Sequence, residues 1–352
     1  MTRSPLQSAP TPAPTAFVAG LLLLTGNLSG GAAPVLEAAE PLDDELMAVP
    51  VTLIRSGDPL PGVVGPDGRV SSFRVRVRDV EIPYAVMGVN VMPGETVELS
   101  VRDIRGLAAP GDFRLRTATD VVAPRRPGSW RWTAPRTPGP VPLRMESPAT
   151  GEAIHLNVFV LHPHSAARDG RLNNFRIGQY RSHTPAPRGF VEANRGALDL
   201  RVAPDFTLGQ FMPKQPGSPP YMKVTEPLVL KLQALLEEVR REGIPARTLT
   251  VMSGFRTPHY NRAIGNTTES SRHLWGDAAD VFVDLNGNGR MDDLNGDGRV
   301  DVADARHLAT LVEQVEARGE AHVRPGGIGI YRANAVRGPV VHVDARGNRA
   351  RW

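Results

Sequence analysis

The stretch Ser271–Asp304 reads SRHLWGDAADVFVDLNGNGRMDDLNGDGRVDVAD, and its two halves differ in chemistry. In the first half, His273 and Asp280 are separated by small residues, and the apolar run 281–283 that follows is typical of a buried strand. The second half repeats Asp, Asn and Gly at short intervals. Both halves predict metal binding, the first by nitrogen and oxygen ligands and the second by oxygen ligands alone.

The second half has the spacing of a calcium-binding loop. Oxygen-bearing residues occupy positions 1, 3, 5, 7, 9 and 12, and Gly298 stands at position 6, where the chain must turn sharply. These residues are Asp293, Asn295, Asp297, Arg299 (through its carbonyl), Asp301 and Asp304. The spacing resembles an EF-hand loop, and Asp instead of Glu at the last position resembles a dockerin loop. A structural Ca²⁺ is expected here, and a solvated acidic turn without metal is the alternative.

An overlapping register begins nine residues earlier and offers a second, weaker calcium site. Its residues are Asp284, Asn286, Asn288, Arg290 (through its carbonyl), Asp292 and Asn295. This register carries less charge, and it shares Asn295 with the first. One good calcium site is therefore expected, with a possible second.

Strand periodicity brings further polar residues towards His273. In the run 279–283, Asp280 lies on the opposite face from the apolar residues that enter the core. In the run 340–344, the same period of two places His342 and Asp344 on one face. Two adjacent strands would therefore direct these three side chains into one cleft. Helix and strand patterns alternate irregularly around them without a βαβ repeat, which indicates an α+β domain.

The pattern Ser271-x-His273-x-x-Gly276-x-Ala278-x-Asp280 reproduces the SxHxxGxAxD motif of the M15 zinc D-alanyl-D-alanine peptidases. Three further blocks follow the order of that family: SGFRTPHYN at 253–261, GGIGIY at 326–331 and VHVDARG at 341–347. The resemblance covers about residues 172–352. It implies the α+β fold that these peptidases share with the hedgehog signalling domain.

This resemblance implies a catalytic zinc held by His273, Asp280 and His342, with a fourth position for water. It also implies that Arg256 binds a carbonyl or carboxylate of the substrate, for which a salt bridge that stabilises the fold is the alternative. Ser271 is expected to form a hydrogen bond with substrate or backbone in the cleft.

The chain departs from the family pattern at the general base. Part of the family has Glu three residues before the last ligand, or His two residues before it. Pro339 and Val340 occupy these positions here. Asp344 is the best substitute for the base, and its alternative role is to orient His342 or Arg346.

The N-terminus has the pattern of an export signal over residues 1–33. The apolar run 16–24 is followed by small residues at 29–33, and it is too short to span a bilayer, which requires about 20 residues. An uncleaved anchor is the minor alternative. A bacterial periplasmic or extracellular protein without a stable membrane span is therefore expected.

The remaining chain is predicted to be multidomain. Residues 34–47 are expected to form a linker, and 48–165 alternate with period two between Gly/Pro turns, which predicts an all-β immunoglobulin-like sandwich as an accessory domain. Residues 166–188 are expected to be a second linker or an arm lying on the next domain. Residues 189–352 form the predicted zinc peptidase domain, with 284–304 as a calcium-loop insertion.

Composition excludes several classes of function. There is no cysteine among the 352 residues, so disulfides and thiolate metal sites are excluded. The net charge of +4 comes without a basic run interleaved with aromatic residues, so nucleic acid is not an expected partner.

The predicted protein is a monomeric, exported zinc metallopeptidase that cuts D-Ala-containing bonds of peptidoglycan stem peptides, as a DD-carboxypeptidase or DD-endopeptidase. The alternative is a non-catalytic cell-wall binding module that carries zinc and calcium.

Overall fold

The computed structural model describes residues 50–60, 62, 70–103 and 109–352. The predicted export signal, 1–33, and the predicted first linker, 34–47, lie outside the described residues. Val49–Trp352 forms one compact unit. Within the described ranges, no helix has both the length and the apolar character needed to cross a membrane.

The first part of the chain consists of two β-sheets. One has the strand order β2-β1-β4-β7 and the other β3-β9-β8-β5-β6. The strands are β1 (Val70–Val77), β2 (Val80–Tyr84), β3 (Val86–Val91), β4 (Thr96–Asp103), β5 (Arg114–Arg116), β6 (Val121–Val122), β7 (Ser129–Thr133), β8 (Gly139–Glu146) and β9 (Ala153–Val160).

These sheets follow the predicted alternation of buried and exposed residues. In β1, Phe73, Val75 and Val77 are buried, whereas Arg76 between them is exposed. Strand β3 pairs with β9 in parallel register, and the neighbouring pairs in both sheets are antiparallel. The described residues of this part form strands and one 3₁₀ turn, Pro110–Asp112, without an α-helix, and an immunoglobulin-like sandwich stays a prediction.

The second part mixes three α-helices with short strands, so the predicted α+β class is confirmed. The central sheet has the strand order β17-β18-β20-β19-β21. The helices are α1 (Glu226–Arg241), α2 (Pro258–Ala263) and α3 (Val302–Ala317). The strands are β10 (His162–Pro163), β11 (Arg171–Leu172), β12 (Phe175–Arg176), β13 (Gly189–Glu192), β14 (Arg201–Ala203), β15 (Phe206–Thr207), β16 (Tyr221–Met222), β17 (Thr250–Ser253), β18 (Ala278–Phe282), β19 (Gly327–Tyr331), β20 (Val340–Asp344) and β21 (Ala350–Arg351).

The two long helices begin and end where the sequence signals indicate. Thr225 is the N-cap residue of α1, with Pro227 in the first turn, and the helix stops before Gly243, which has φ +85°. Helix α3 begins after Asp301, whose side chain accepts a hydrogen bond from the Ala303 N–H at 2.6 Å. Both helices bury an apolar face against the rest of the core.

The two parts share one apolar core and are joined by buried hydrogen bonds. Asn157 Nδ2, on β9, donates to the carbonyls of Ile54 and Arg201 at 2.7 and 2.9 Å. Asn90 Nδ2, on β3, donates to the Val224 carbonyl at 2.8 Å, just before α1. The predicted domain boundaries stay a prediction. The β-sheets pack directly on the part of the chain that contains His273, Asp280 and His342.

The predicted second linker, 166–188, lies along the segment that carries His273. The Tyr180 hydroxyl donates to the Leu274 carbonyl at 2.8 Å, and Trp275 Nε1 donates to the Pro185 carbonyl at 2.8 Å. These two hydrogen bonds join the segment to the loop that carries His273, and its role as a linker or an arm stays a prediction.

Gly276 allows that loop to approach the main chain of the next layer. Its φ is +70°, and a Cβ built there would lie 2.3 Å from the Lys223 carbonyl oxygen. The Gly276 carbonyl in turn accepts a hydrogen bond from the Thr225 N–H at 2.9 Å. A side chain at position 276 would therefore collide with the main chain at Lys223.

We predict that Gly276→Ala lowers the free energy of unfolding far more than Gly287→Ala. Both glycines have positive φ, but a Cβ at Gly287 meets nothing within 4 Å. The control should therefore cost about 1 kcal/mol for backbone strain, and the clash at Gly276 should add about 1–3 kcal/mol. Urea denaturation measures both; equal losses would contradict the close approach.

Candidate metal centre

The metal centre is built by two neighbouring strands and the turn before one of them. Strands β18 and β20 are antiparallel, and their register places Asp280 directly opposite His342. His273 lies on the 3₁₀ turn Arg272–Trp275, which is separated from β18 by two residues. All three side chains are buried, with 3–6% of their residue surfaces exposed. The predicted convergence of these residues is therefore observed.

Three donor atoms of these residues form a nearly equilateral triangle. His273 Nε2 lies 3.2 Å from His342 Nδ1 and 3.3 Å from Asp280 Oδ1. His342 Nδ1 lies 3.0 Å from Asp280 Oδ1. The edge of a tetrahedron of zinc ligands at 2.0–2.1 Å is about 3.3–3.4 Å. The geometry and the chemistry of the donor set are consistent with zinc, and the three residues form a possible metal site.

The polar atoms that face away from this triangle have partners of their own. His273 Nδ1 donates a hydrogen bond to the Gly254 carbonyl at 2.7 Å. The Nε2 lone pair is therefore available to a metal. His342 Nε2 lies 3.3 Å from Asp344 Oδ2, so its Nδ1 is the free nitrogen. Asp280 Oδ2 accepts a hydrogen bond from Arg256 Nη2 at 2.7 Å. The surroundings therefore fix one ligand atom on each residue.

The ionisable groups of the centre shift one another's pKa values in a buried environment. Burial alone would raise the pKa of Asp280, but His273 and His342 hold that pKa well below its usual range. Burial alone would lower the pKa of His342, and hydrogen bonds to Asp280 and Asp344 raise it on balance. The centre thus keeps an ionised carboxylate ligand although it is shielded from water.

Asp344 lies behind His342 and does not line the cavity around the donor atoms. Its residue surface is fully buried, and its carboxylate accepts hydrogen bonds from the Gly327 N–H at 2.8 Å and from Arg346 Nε at 2.9 Å. Burial would raise the pKa of Asp344, but its contacts with His342 and Arg346 keep that pKa below the usual range. Of the two roles left open by the sequence, the geometry favours orientation of His342 over proton transfer.

Arg256 and Ser271 both line the cavity above the metal ligands. Arg256 Nε donates to Ser253 Oγ at 2.8 Å, in addition to the ion pair with Asp280. Arg256 is therefore anchored to the metal centre by a salt bridge, the alternative that the sequence left open for it. Ser271 is the N-cap residue of the 3₁₀ turn Arg272–Trp275 and lines the cavity.

The cavity above the ligands, called here the metal cleft, has a volume of about 500 Å³ and an aromatic wall. The Trp352 indole lies with its centroid 5.1 Å from the His342 ring, and its Nε1 donates to the Tyr331 hydroxyl at 2.8 Å. A Cβ on Gly329 would lie 2.5 Å from Trp352 Nε1. Sequence reasoning missed this wall, although the glycines of the block 326–331 were a signal that a large side chain lies against that strand.

The predicted calcium loop is folded around its own carboxylates. The Asp293 carboxylate accepts hydrogen bonds from the N–H groups of Gly296 and Gly298 at 2.8 and 2.7 Å. Asp284 accepts from Gly287 and Gly289 at 2.7 and 2.8 Å in the overlapping register. Among the His, Asp and Glu side chains that the structure describes, only His273, Asp280 and His342 bring three such ligand atoms together. A calcium site is therefore not shown.

Comparison with protein families supports the same centre. Residues 216–294 match the family model described as Peptidase M15, which indicates a metallopeptidase hydrolase with a peptide substrate. The matched segment includes His273 and Asp280, whereas His342 lies beyond it. No curated protein and no solved structure matches the chain.

We predict that Asp344→Asn weakens zinc binding by about 10- to 100-fold, the usual effect of removing a partner that orients a metal-bound histidine. The amide keeps the shape of the side chain but removes the charge that faces His342 Nε2. Competition with a chromophoric chelator measures the affinity, and Asp120→Asn at an exposed turn is the matched control. An unchanged zinc affinity in the folded Asp344 variant would argue against the orienting role.

Proposed function

We propose that the chain is an exported zinc metallopeptidase that hydrolyses D-Ala-containing peptide bonds of peptidoglycan stem peptides, as a DD-carboxypeptidase or DD-endopeptidase. The observation that carries this proposal is the triangle of donor atoms from His273, Asp280 and His342 at the floor of the metal cleft. The Peptidase M15 match over residues 216–294 supports it independently.

A zinc ion held by these three residues would lower the pKa of a bound water to about 7 and polarise the scissile carbonyl. The chain supplies the rigid surroundings that such chemistry needs. Arg256 holds the second oxygen of Asp280, and Asp344 holds the outer nitrogen of His342. Hydrolysis adds water across the amide and yields a carboxylate and an amine.

The charge of the cleft suits an anionic peptide. Of the four guanidinium groups that line it, only that of Arg337 has no ion pair with a carboxylate in the described residues, and Asp280 is the only Asp or Glu among the described lining residues. Peptides of the cell wall carry free carboxylates, which a positively charged cleft attracts and orients. The same argument disfavours a substrate rich in basic side chains.

The cellular setting follows from the sequence pattern. The export signal predicted over residues 1–33 would direct a monomeric protein to the periplasm or the extracellular space, where its substrate lies. The two N-terminal sheets would then serve as an immunoglobulin-like accessory domain packed on the peptidase part.

One observation favours a second candidate function, a non-catalytic module that binds the cell wall. The only carboxylate that lines the metal cleft, in the part of the chain that the structure describes, is the ligand Asp280. A metallopeptidase needs a group that accepts the proton of the attacking water, and Asp344 is turned away from the cleft.

We predict zinc-dependent cleavage of purified muropeptides by the wild-type protein and no cleavage by His273→Ala, because loss of one ligand destroys the metal site. Mass spectrometry of monomeric and cross-linked muropeptides detects the products and separates carboxypeptidase from endopeptidase activity. His183→Ala, which replaces an exposed histidine, should behave as wild type. Binding of muropeptides without any cleavage would support the non-catalytic module.

We also propose that the loop 284–304 binds one structural Ca²⁺ through Asp293, Asn295, Asp297, Arg299, Asp301 and Asp304. The spacing of the ligands supports this proposal. The Asp304 carboxylate accepts hydrogen bonds from the N–H groups of Leu294 and Asp301, both at 2.8 Å. These contacts close the loop onto the first turn of α3, where a bound ion would rigidify it.

We predict that Ca²⁺ raises the thermal stability of the protein and that Asp297→Ala abolishes this rise. Extracellular loops of this type bind with Kd values of about 10⁻⁴–10⁻³ M, and a tenfold excess over Kd stabilises by about 1.4 kcal/mol. Differential scanning calorimetry with and without Ca²⁺ measures the shift, and Mg²⁺ is the matched ion control. A melting temperature that does not respond to Ca²⁺ would contradict the proposal.

A further inference from the structure

Three of the four arginines that line the metal cleft are already neutralised. Each forms an ion pair with an aspartate in or behind the wall of the cleft. The pairs are Arg256 with Asp280 at 2.7 Å, Arg272 with Asp277 at 3.1 Å, and Arg346 with Asp344 at 2.9 Å. Their positive charges are therefore largely neutralised by aspartates of the protein.

Arg337 is the exception. Its Nη1 donates to the carbonyls of Arg332 and Gly338, both at 3.1 Å, and its guanidinium lies 5.4 Å from the centroid of the Tyr331 ring. In the described ranges, no carboxylate forms an ion pair with Arg337. A guanidinium has five N–H donors, so the Nε and Nη2 groups are available to a ligand.

The position of Arg337 places this charge in the path of a bound peptide. The residue lines the metal cleft and also a second cavity of about 640 Å³, which shares Met252 and Arg256 with the cleft. The second cavity has a mixed lining, in which Phe282 and Ile264 stand beside the cations Lys214 and Arg290. A peptide that extends from the metal ligands into this cavity therefore passes Arg337.

We propose that Arg337 determines substrate specificity by binding a carboxylate of the peptide next to the scissile bond; this rests on the proposed function. The carbonyl contacts and the Tyr331 ring fix the orientation of the planar Arg337 guanidinium. Its donors can bind a carboxylate through two parallel hydrogen bonds. Arg256 is paired with Asp280, whereas Arg337 has no carboxylate partner in the described part of the chain.

The carboxylate has two possible sources in such a peptide. One is the C-terminal carboxylate, as in a carboxypeptidase substrate, and the other is a side-chain carboxylate beside the bond that is cut. The second cavity leaves room for further residues beyond Arg337. Peptides that differ only in one of the two carboxylates distinguish these sources.

The test uses zinc-loaded protein and peptides in which a methyleneamine group replaces the scissile amide, so that binding is measured without hydrolysis. The two peptides of the first pair end in D-Ala-D-Ala, one as the free acid and the other as the C-terminal amide. The two peptides of the second pair differ in carrying D-Glu or D-Gln before the replaced amide. Calorimetry gives Kd for wild type, Arg337→Gln, Arg337→Lys and Arg332→Gln. Arg332 is the matched control because it lies on the same loop but is exposed and does not line the cleft.

We expect wild type and Arg332→Gln to prefer one carboxylate form over its neutral twin by roughly ten- to hundredfold, the usual range for a charge-assisted pair. Arg337→Gln should bind both forms equally, and Arg337→Lys should keep part of the preference. Equal binding of the twins by wild type, or an unchanged preference in Arg337→Gln, would overturn the inference. Hydrolysis of the parent peptides is measured in parallel: a carboxylate preference without hydrolysis contradicts the proposed function and leaves the role of Arg337 standing.

Discussion

The pairing of β18 with β20 places Asp280 opposite His342, and the metal centre depends on this register. A shift of either strand by one residue would turn its ligand into the core and bring an apolar neighbour to the cleft, because side chains alternate between the faces of a strand. The apolar residues Val281 and Val341 on the other face are fully buried, so burial itself enforces the register. The hydrophobic core thus fixes the polar geometry of the centre.

A buried carboxylate and two buried imidazoles are unfavourable unless each polar atom has a partner. Arg256, Asp344 and the Gly254 carbonyl supply these partners, and in doing so they select the atoms that face the cleft. The groups that offset the cost of burial are therefore the same groups that set the ligand geometry. This arrangement also explains why most cationic charge around the cleft is internally satisfied, with Arg337 as the exception.

The sequence predicted that His273, Asp280 and His342 come together, because a short motif and the period of a strand determine which side chains share a face. It left two roles for Asp344 and two for Arg256, since hydrogen-bond partners distant in sequence decide between them. The wall formed by Trp352 and the lack of a carboxylate partner for Arg337 in the described residues depend on how loops pack, which spacing does not encode. The carboxylates of the loop 284–304 are regularly spaced, yet their oxygen atoms bind backbone amides and form no three-acid cluster within the described residues.

Crystals of the zinc-loaded protein, measured on both sides of the zinc absorption edge, test directly whether one zinc ion binds between His273, Asp280 and His342. We expect one strong anomalous peak about 2.0–2.1 Å from His273 Nε2, His342 Nδ1 and Asp280 Oδ1. A peak at another group of side chains, or no peak at these atoms in zinc-saturated protein, would contradict it.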